Sequence, residues 1–176
     1  MITEGGASMS SDILLGDNGV FAIDGVAVGL TRGGGTFKTG REYKHINADN
    51  DRGIYKGRQR LTLSKPTLEL NALQIIGDEF ASYYPAVTNT AGTGTSALTG
   101  NEEVSDTDFH EVTWTGKTKG GKEVVITVFN AINLGDIDFT LADKDEIVAN
   151  VVFAGSYEEA SPENYEPWSV VYGTGV

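Results

Sequence analysis

The chain has 176 residues, of which 23 are glycine and none is cysteine, and its formal net charge is −12. The lack of cysteine excludes disulfides and thiolate metal sites, and the acidic balance argues against a nucleic-acid-binding groove, which needs Lys and Arg to release counterions. No apolar run approaches the ~18 residues of a membrane span and no basic-then-apolar leader is present, so we expect one soluble domain with no membrane partner and no export signal.

The first part of the chain predicts an arm followed by short strands. Residues 1–11 are small and polar, which is typical of a terminal arm. Residues 12–16 predict a first short strand. Two apolar runs within residues 20–28 are joined by Asp24 and Gly25, which is a strong β-hairpin signal. Both runs are apolar on both faces, so we expect this hairpin to be covered on both sides.

A long polar loop is predicted between the next two strands. Glycines at 33–35 are expected to break the chain, and residues 36–46 then predict a strand rich in Thr, Phe, Tyr and Ile. Residues 47–57 are polar and join this strand to another that opens at Arg58. These 11 residues are many for a plain hairpin, and long loops are often functional or ordered by a neighbour.

The stretch 58–85 predicts a long strand that runs into the one convincing helix. Apolar and polar residues alternate along the strand, which indicates one buried face and one polar face. Its predicted core positions are Leu61, Leu63, Leu68 and Leu70. Pro66 lacks an N–H group and is expected at a bulge or an edge.

The helix is predicted because the period changes near its start. Residues 77–79 place acids where a helix N-terminus favours them. Phe80, Tyr83 and Tyr84 are spaced to share one helical face. Pro85 ends the helix, because the residue before proline is pushed out of the α region. A helix this short must be held by packing its aromatic side chains onto the sheet.

The second half of the chain begins with its most loop-like stretch. Residues 86–108 are rich in Thr, Gly, Ala, Ser and Asn and lack periodicity, so they are predicted to be a long surface loop or insertion. Residues 109–118 and 122–132 then alternate as two strands. The Gly-Gly pair between them predicts a hairpin turn at 120–121.

Two more strands and a tail are predicted toward the C-terminus. A short strand is expected at 137–141, and the last core strand at 147–153. Residues 158–167 are acidic with two prolines and are predicted to form a linker. Residues 168–172 are apolar, and we expect this segment to need a partner surface.

The order of these elements predicts a mainly β (α+β) fold. Two packed antiparallel sheets, forming a β-sandwich or split barrel, would carry one short flanking α-helix. A single domain is predicted over residues 12–157, with an N-terminal arm at 1–11 and a C-terminal arm at 158–176.

No pattern in the sequence predicts catalysis or a bound cofactor. His45 and His110 lie on separate predicted strands, so a metal site there would need distant carboxylates. Residues 49–51 resemble the start of a calcium loop, but Arg52 occupies the position that requires glycine. Nothing selects a glycosidase-type pair among the 25 acidic residues, although such a pair stays open. We therefore expect a protein that is not an enzyme and that holds no metal or cofactor.

Several features in a fixed order carry a family resemblance. The first are the Gly-rich approach and hairpin Gly33–Ile46 and the polar loop ending at Lys56-Gly57. The strand Pro66–Leu70 then leads into Leu73-Gln74-Ile75 and a short helix. The hairpin Val112–Thr118 turns at Gly120-Gly121-Lys122, and the last strand Ile147–Ala154 is followed by acidic sequence and Pro167-Trp168. In this order, over residues 12–172, the chain resembles the tail tube (major tail) proteins of long-tailed bacteriophages. No single motif is diagnostic. Residues 86–108 depart from the family, where many relatives pass from helix to strand more directly.

The resemblance implies a structural virion protein with no catalytic activity. Subunits of this family form hexameric rings that stack into a hollow tube, and strands from each subunit join into one barrel around the lumen. The implied partners are further copies of the chain, tail terminator and tail-tip proteins, the tape measure protein and then phage DNA, which passes without specific binding. The implied location is the viral tail of the virion, after assembly in the host cytoplasm.

The resemblance also implies roles for particular residues. The long loop would reach the adjacent ring through Asn47, Asp49, Asn50, Asp51, Arg52, Ile54, Tyr55 and Lys56. Terminal arms cross to neighbouring subunits, which implies arm contacts at Trp168, Val170 and Tyr172. A negative lumen would repel phosphate and let DNA pass. The lumen-facing candidates, taken from the polar faces of four predicted strands, are Glu42, Glu69, Glu111 and Glu123.

Two other functions stay open. A tube subunit of a contractile injection device would share the fold and would differ by binding a sheath on its outer surface. A β-sandwich adhesin or carbohydrate-binding module would expose a row of aromatic side chains. Trp114 instead alternates onto the predicted core face with Val112, which argues against that second class.

Overall fold

The computed structural model describes residues 9–75, 79–141, 143–160 and 165–173. Within these ranges the fold is mainly β, with antiparallel sheets and one short α-helix, which confirms the predicted fold class. The strands are β1 (Leu14–Ile23), β2 (Val26–Ala27), β3 (Thr31–Lys38), β4 (Arg41–His45), β5 (Gln59–Ser64), β6 (Thr67–Ala72), β7 (Val87–Gly92), β8 (Thr95–Gly100), β9 (His110–Thr118), β10 (Glu123–Ile132), β11 (Ala149–Gly155) and β12 (Trp168–Tyr172). The helix α1 spans Glu79–Tyr83, and no helix in the described ranges has the length and apolar character to cross a membrane.

One large sheet organises the molecule, with the strand order β2-β1-β9-β10-β11-β6-β3 and with β12 beside β10. Residues 123–128 of β10 pair with β9, and residues 124–128 also pair with β12. Beyond a bulge, Ala131 still pairs with His110 of β9, while Ala131 and Ile132 pair on the other side with β11 in place of β12. A bulge bends its strand, and this one lets the two halves of the sheet turn their inner faces toward one core. The hairpins β4–β5 and β7–β8 form separate two-stranded sheets.

A single hydrophobic core is built from the inner faces of both halves of the large sheet. Leu70 of β6 and Val151 of β11 are paired and fully enclosed. Glu69, which precedes Leu70 along β6, lies on the opposite face. Val112 and Val128, which pair across β9 and β10, belong to the same cluster. Burial of an aliphatic side chain of this size is worth about 1.5–3 kcal/mol, so the period-two alternation decides which face turns inward.

The first hairpin forms where the sequence predicts it. Ala22 and Ile23 of β1 pair with β2, and the turn residues Asp24 and Gly25 have φ values of 49° and 79°. Two positive φ angles are the signature of a type I′ turn, which Asp-Gly favours. The expectation that both faces are covered is wrong, because Val26 is 70% exposed. β2 has only two residues and lies at the edge of the sheet, where nothing packs over it in the described structure.

The strand predicted over 36–46 is in fact two strands, and its beginning was misplaced. β3 runs through the glycines 33–35 and pairs with β6 across a bulge, so these glycines do not break the chain. At Gly35 any side chain would meet the Glu69 carbonyl oxygen, with 2.0 Å from the Cβ position to that oxygen. Gly40, with φ of 54°, turns the chain between β3 and β4. Glycine therefore permits a close strand approach here as well as a turn.

The long strand predicted in the stretch 58–85 is in fact two strands, which are divided at Pro66 and belong to different sheets. β5 pairs with β4 in the small hairpin, whereas β6 pairs with β3 and β11 in the large sheet. Leu68 and Leu70 are buried, which confirms half of the predicted core face. Leu61 and Leu63 are 37% and 46% exposed, so their prediction as core residues is wrong. Their alternation reflects a hairpin whose apolar face is left uncovered by the residues that the structure describes.

The short helix is held by its aromatic side chains, as predicted. Phe80, Tyr83 and Tyr84 are all buried. The Phe80 ring lies 5.1 Å from the Tyr84 ring and 6.2 Å from the Phe139 ring, between centroids. Of the two acids predicted at the helix N-terminus, Asp78 lies outside the described residues, and Glu79 is the first residue of α1.

The stretch 86–108 is a surface excursion, as predicted, but much of it is a pair of strands and not a loop. β7 and β8 form a regular antiparallel hairpin with six paired positions, from Val87 with Gly100 to Gly92 with Thr95. A short 3₁₀ turn follows at Asp106–Asp108 and is closed by a capping box with Ser105. The composition is low in strong strand formers, yet threonine is β-branched and accepts the extended backbone.

The last predicted strands have a mixed outcome. The hairpin of β9 and β10 around 120–121 is confirmed, and β11 confirms the last core strand from Ala149 onward. No strand forms at 137–141, although Phe139 packs against the core from this connection. The predicted N-terminal arm lies mostly outside the described residues, with a 3₁₀ turn at Met9–Asp12 as its described end.

Candidate assembly site

The hairpin of residues 41–64, here called the assembly hairpin, carries the long polar loop away from the large sheet. Its strands pair from Arg41 with Ser64 to His45 with Gln59, and the Ile46 N–H group donates to the Arg58 carbonyl at 2.9 Å to close the loop. All eight predicted loop contacts lie in this connection: Asn47, Asp49, Asn50, Asp51, Arg52, Ile54, Tyr55 and Lys56. The loop position is therefore as expected, while a contact with a second ring stays a prediction.

The loop is ordered by its own charges. The Asp51 carboxylate, with a side chain only 15% exposed, accepts two hydrogen bonds from Arg58 Nη1 at 2.8 and 3.0 Å. It also accepts the Ala48 N–H group at 2.7 Å. The Arg58 guanidinium lies 5.1 Å from the centre of the Tyr55 ring, a cation–π contact. These contacts give the loop a fixed shape before any partner arrives.

Apolar side chains of the assembly hairpin are turned toward solvent. Ile54 at the loop is 77% exposed, and Ile46 and Tyr55 beside it are 58% and 45% exposed. Tyr43 and Leu63 on the two strands are exposed as well. Several exposed apolar side chains on one protruding element are typical of an interaction site.

A polar cluster fixes the base of the assembly hairpin to β12. The Glu166 carboxylate accepts hydrogen bonds from Arg41 Nε at 3.0 Å and from the Ser64 hydroxyl at 2.8 Å, and it forms an ion pair with Arg41 Nη2 at 2.8 Å. The Trp168 indole N–H group donates to the same carboxylate. Arg41 also lies over the Trp168 ring at 5.3 Å, and Phe37 packs against that ring at 5.8 Å between centroids.

The cluster was not predicted from the sequence, because its members are far apart along the chain. Arg41 and Glu166 are 125 residues apart. No local period joins them, and only the pairing of β12 with β10 brings Glu166 to the hairpin. The Glu-Pro-Trp sequence at 166–168 gives no sign of its partners.

The protonation of Glu166 reflects this environment. Burial by itself would raise the pKa of Glu166, but the hydrogen bonds from Arg41, Trp168 and Ser64 outweigh it and hold the pKa below the ordinary value. The pKa of Arg41 is raised, chiefly by the hydrogen bond to Glu166. Because the folded state binds its proton more weakly than the unfolded state, Glu166 contributes stability above the unfolded pKa and loses it as pH falls through the folded pKa.

We expect Glu166→Gln to destabilise the fold by about 2 kcal/mol at neutral pH, since hydrogen bonds to a charged group are worth about 1.5–3 kcal/mol. The difference from the parent should shrink at an acid pH below the lowered folded pKa of Glu166, where both side chains are neutral. Urea unfolding at the two pH values measures this, with Glu159→Gln as the control because Glu159 is an exposed acid of the same segment. An equal loss at both pH values would mean that the charge of Glu166 contributes nothing.

Three of the four acidic lumen candidates lie on the large sheet and point away from the core, Glu69 on one half of the sheet and the other two on the opposite half. Glu69 on β6, Glu111 on β9 and Glu123 on β10 all lie on the face away from the core. The Glu69 carboxylate accepts the Asn150 amide at 2.6 Å from the neighbouring strand β11. Glu42 does not join them, because its strand β4 belongs to the separate assembly hairpin. The four predicted strands therefore do not form a single polar face.

The predicted arm contacts lie in a strand of this chain. Trp168, Val170 and Tyr172 belong to β12, which pairs with residues 124–128 of β10. The expectation that this apolar segment has no partner surface within its own chain is corrected, because β10 supplies one. Val170 and Tyr172 are still 41% and 65% exposed, so a contact with another subunit stays a prediction.

The two histidines lie apart and in different environments. His110 Nδ1 lies 2.7 Å from an oxygen of Asp24, which ties the start of β9 to the first hairpin turn. Both ring nitrogens of His45 are buried without a hydrogen-bond partner among the described residues. Within the same ranges no three His, Cys, Asp or Glu side chains are grouped as a metal site.

Comparison with known proteins assigns no family. A search against models of protein families finds no match, and neither does a search against curated protein sequences. Function is therefore inferred from the surfaces of the chain itself. These are the ordered loop with exposed Ile54, the outward-facing acids of the large sheet, and the exposed end of β12.

Proposed function

We propose that the protein is a structural subunit of a phage tail tube, which assembles into stacked hexameric rings. The observation that carries the proposal is the assembly hairpin, an ordered projection whose exposed residues include Ile54 and Tyr43. Such a surface is costly to leave in water. Contact with the next ring would bury it, and the order of features in the sequence resembles that of proteins assembled in this way.

The outward-facing acids of the large sheet support the same proposal. Glu69 lies on the half formed by β3, β6 and β11, whereas Glu111 and Glu123 lie on the half formed by β1, β9 and β10. The half that faces the lumen would present its acids there. Each ring of six chains would carry six times the charge of −12 of one chain. Negative walls repel phosphate, so DNA would pass without binding. Glu42, on the assembly hairpin, would lie closer to the contact between rings.

The proposed partners follow from this role. Copies of the chain would form the tube, tail terminator and tail-tip proteins would bind its ends, and the tape measure protein and then DNA would occupy the lumen. The protein would reside in the virion tail after assembly in the host cytoplasm.

The first test is assembly of the purified protein. Rings or tubes are expected by negative-stain electron microscopy, together with a large species by analytical ultracentrifugation. Added salt should favour them, because it screens the repulsion between chains of charge −12. A monomer that persists at every protein and salt concentration would contradict the proposal.

The alternative functions make different demands. A tube subunit of a contractile injection device would also form rings, and binding to a sheath protein would distinguish it. A carbohydrate-binding module needs a row of exposed aromatic side chains. The Trp114 ring lies against Gly19 and Gly116 and is not available for this, although Tyr43 and Tyr55 of the assembly hairpin are exposed. Clear hits on a glycan array would restore that second alternative.

A further inference from the structure

The β7–β8 hairpin is a second projection, and it differs from the assembly hairpin in chemistry. Its two strands pair with each other and with no other strand among the described residues. It is rooted by the Asn101 N–H group, which donates to the Ala86 carbonyl at 2.7 Å. Val87 and Leu98 pack against the core, and the rest of the hairpin is exposed.

The edges of this hairpin lack the usual protection. Residues 87–100 contain no charged residue and no proline, although the chain as a whole has a net charge of −12. Natural edge strands are normally blocked by charges, proline or bulges, because open N–H and C=O groups attract another strand. A free two-stranded hairpin is also marginally stable in water. An uncharged hairpin of this length is therefore suited to pairing with another strand.

A second unprotected edge lies on β12. In the part of the chain that the structure describes, this strand pairs on one side with β10 and with no strand on the other. Val171 and Tyr172 are 61% and 65% exposed, and residues 168–173 carry no charge. Strand β12 thus leaves the sheet of β9, β10 and β12 open to extension.

We propose that β8 of one copy adds to the open edge of β12 in the next copy. The partner is a second copy because both edges are uncharged, while contacts elsewhere between two chains of charge −12 are resisted by repulsion. The lengths agree, with six residues in β8 and five in β12. Strand β7 begins beside α1, which leaves β8 as the accessible edge.

The contact is heterologous, since it joins two different edges of the same chain. Contacts of this type build a ring when the rotation closes and a filament when it does not. That this contact closes into a ring rests on the proposed function, since the contact alone would also allow an open filament. In that ring, the β9–β10–β12 sheet of each copy would continue into the β7–β8 hairpin of its neighbour.

Cross-linking tests the contact directly, because the chain has no cysteine of its own. Ala97→Cys on β8 and Val171→Cys on β12 change exposed side chains, so the fold should be kept, and circular dichroism checks it. A bismaleimide reagent tolerates a small difference in register. The double variant should give a ladder that extends beyond the dimer, whereas each single variant should give none. Val104→Cys combined with Val171→Cys is the control, since Val104 is exposed outside both edges.

Charge at the same edges provides a second test. Ala97→Lys and Val171→Lys should each cause loss of assembled rings with the fold intact, because a charge blocks an edge. Val104→Lys adds the same charge and should assemble normally.

The outcomes separate this inference from the proposed function. Normal rings without a ladder from the double variant would overturn the β8–β12 contact and leave the tail-tube role. A ladder without rings or tubes would keep the contact and overturn that role. Dimers from Ala97→Cys alone would mean that two hairpins pair with each other, which overturns the contact. Absence of both rings and ladder would overturn both.

Discussion

Removal of residues 50–55 from the assembly hairpin is expected to leave folded subunits that form rings but do not stack. The deleted segment includes Asp51, which orders the loop, and Ile54, its most exposed apolar residue. The closing bond from the Ile46 N–H group to the Arg58 carbonyl lies outside the deletion, so the strands of the hairpin can keep their register. Electron microscopy and sedimentation should show single rings in place of tubes.

A point variant sharpens this test. Ile54→Asp keeps the loop length and the Asp51–Arg58 pair but places a charge at the proposed ring contact. Burial of one isoleucine is worth about 1.5–3 kcal/mol, and every subunit of a ring would lose it at once. Leu134→Asp is the matched control, because Leu134 is 70% exposed in a different connection. Tubes of normal length from Ile54→Asp and from the deletion would remove the proposed role of the loop.

The parts of the fold that follow local rules were predictable from the sequence. The Asp24-Gly25 turn, the Gly-Gly turn at 120–121 and the alternation in β6 depend on turn chemistry and a period of two, and all three are present. The short helix also followed, from the spacing of its aromatic residues and the proline after it.

The remainder depends on partners that are distant in sequence. Gly35 lets β3 approach β6 closely, because a side chain at this position would meet the carbonyl oxygen of Glu69 on β6. The sequence around Gly35 alone does not distinguish this role from that of a strand breaker. The β7–β8 hairpin has no apolar alternation because little of it is buried, so periodicity carries no signal there. For the candidate site, the bounds of the loop were predictable from composition, whereas the Glu166 cluster requires β12 to be paired with β10 first.

Leu61 and Leu70 show how far the alternation rule extends, and they give the sharpest test of the core. Both leucines occupy apolar positions of the same predicted strand, yet Leu70 has no exposed surface and Leu61 is 37% exposed. Leu70→Ala should lower the free energy of unfolding by about 2–5 kcal/mol, because it leaves a cavity that the surrounding strands cannot close. Leu61→Ala should cost under about 1 kcal/mol, as expected for a substitution at a half-exposed site.

Urea unfolding of the two variants as unassembled subunits measures the difference, with an unchanged slope against denaturant as the check on two-state behaviour. In the assembled protein, we expect Leu61→Ala to have the larger effect on ring stacking, since Leu61 lies on the exposed surface of the assembly hairpin. If that surface is buried between subunits, Leu61→Ala should weaken ring stacking while leaving the isolated subunit nearly as stable as the parent. Equal destabilisation by both substitutions in the isolated subunit would instead mean that the assembly hairpin folds back onto the core in solution, and its apolar side chains would then not be available to a partner.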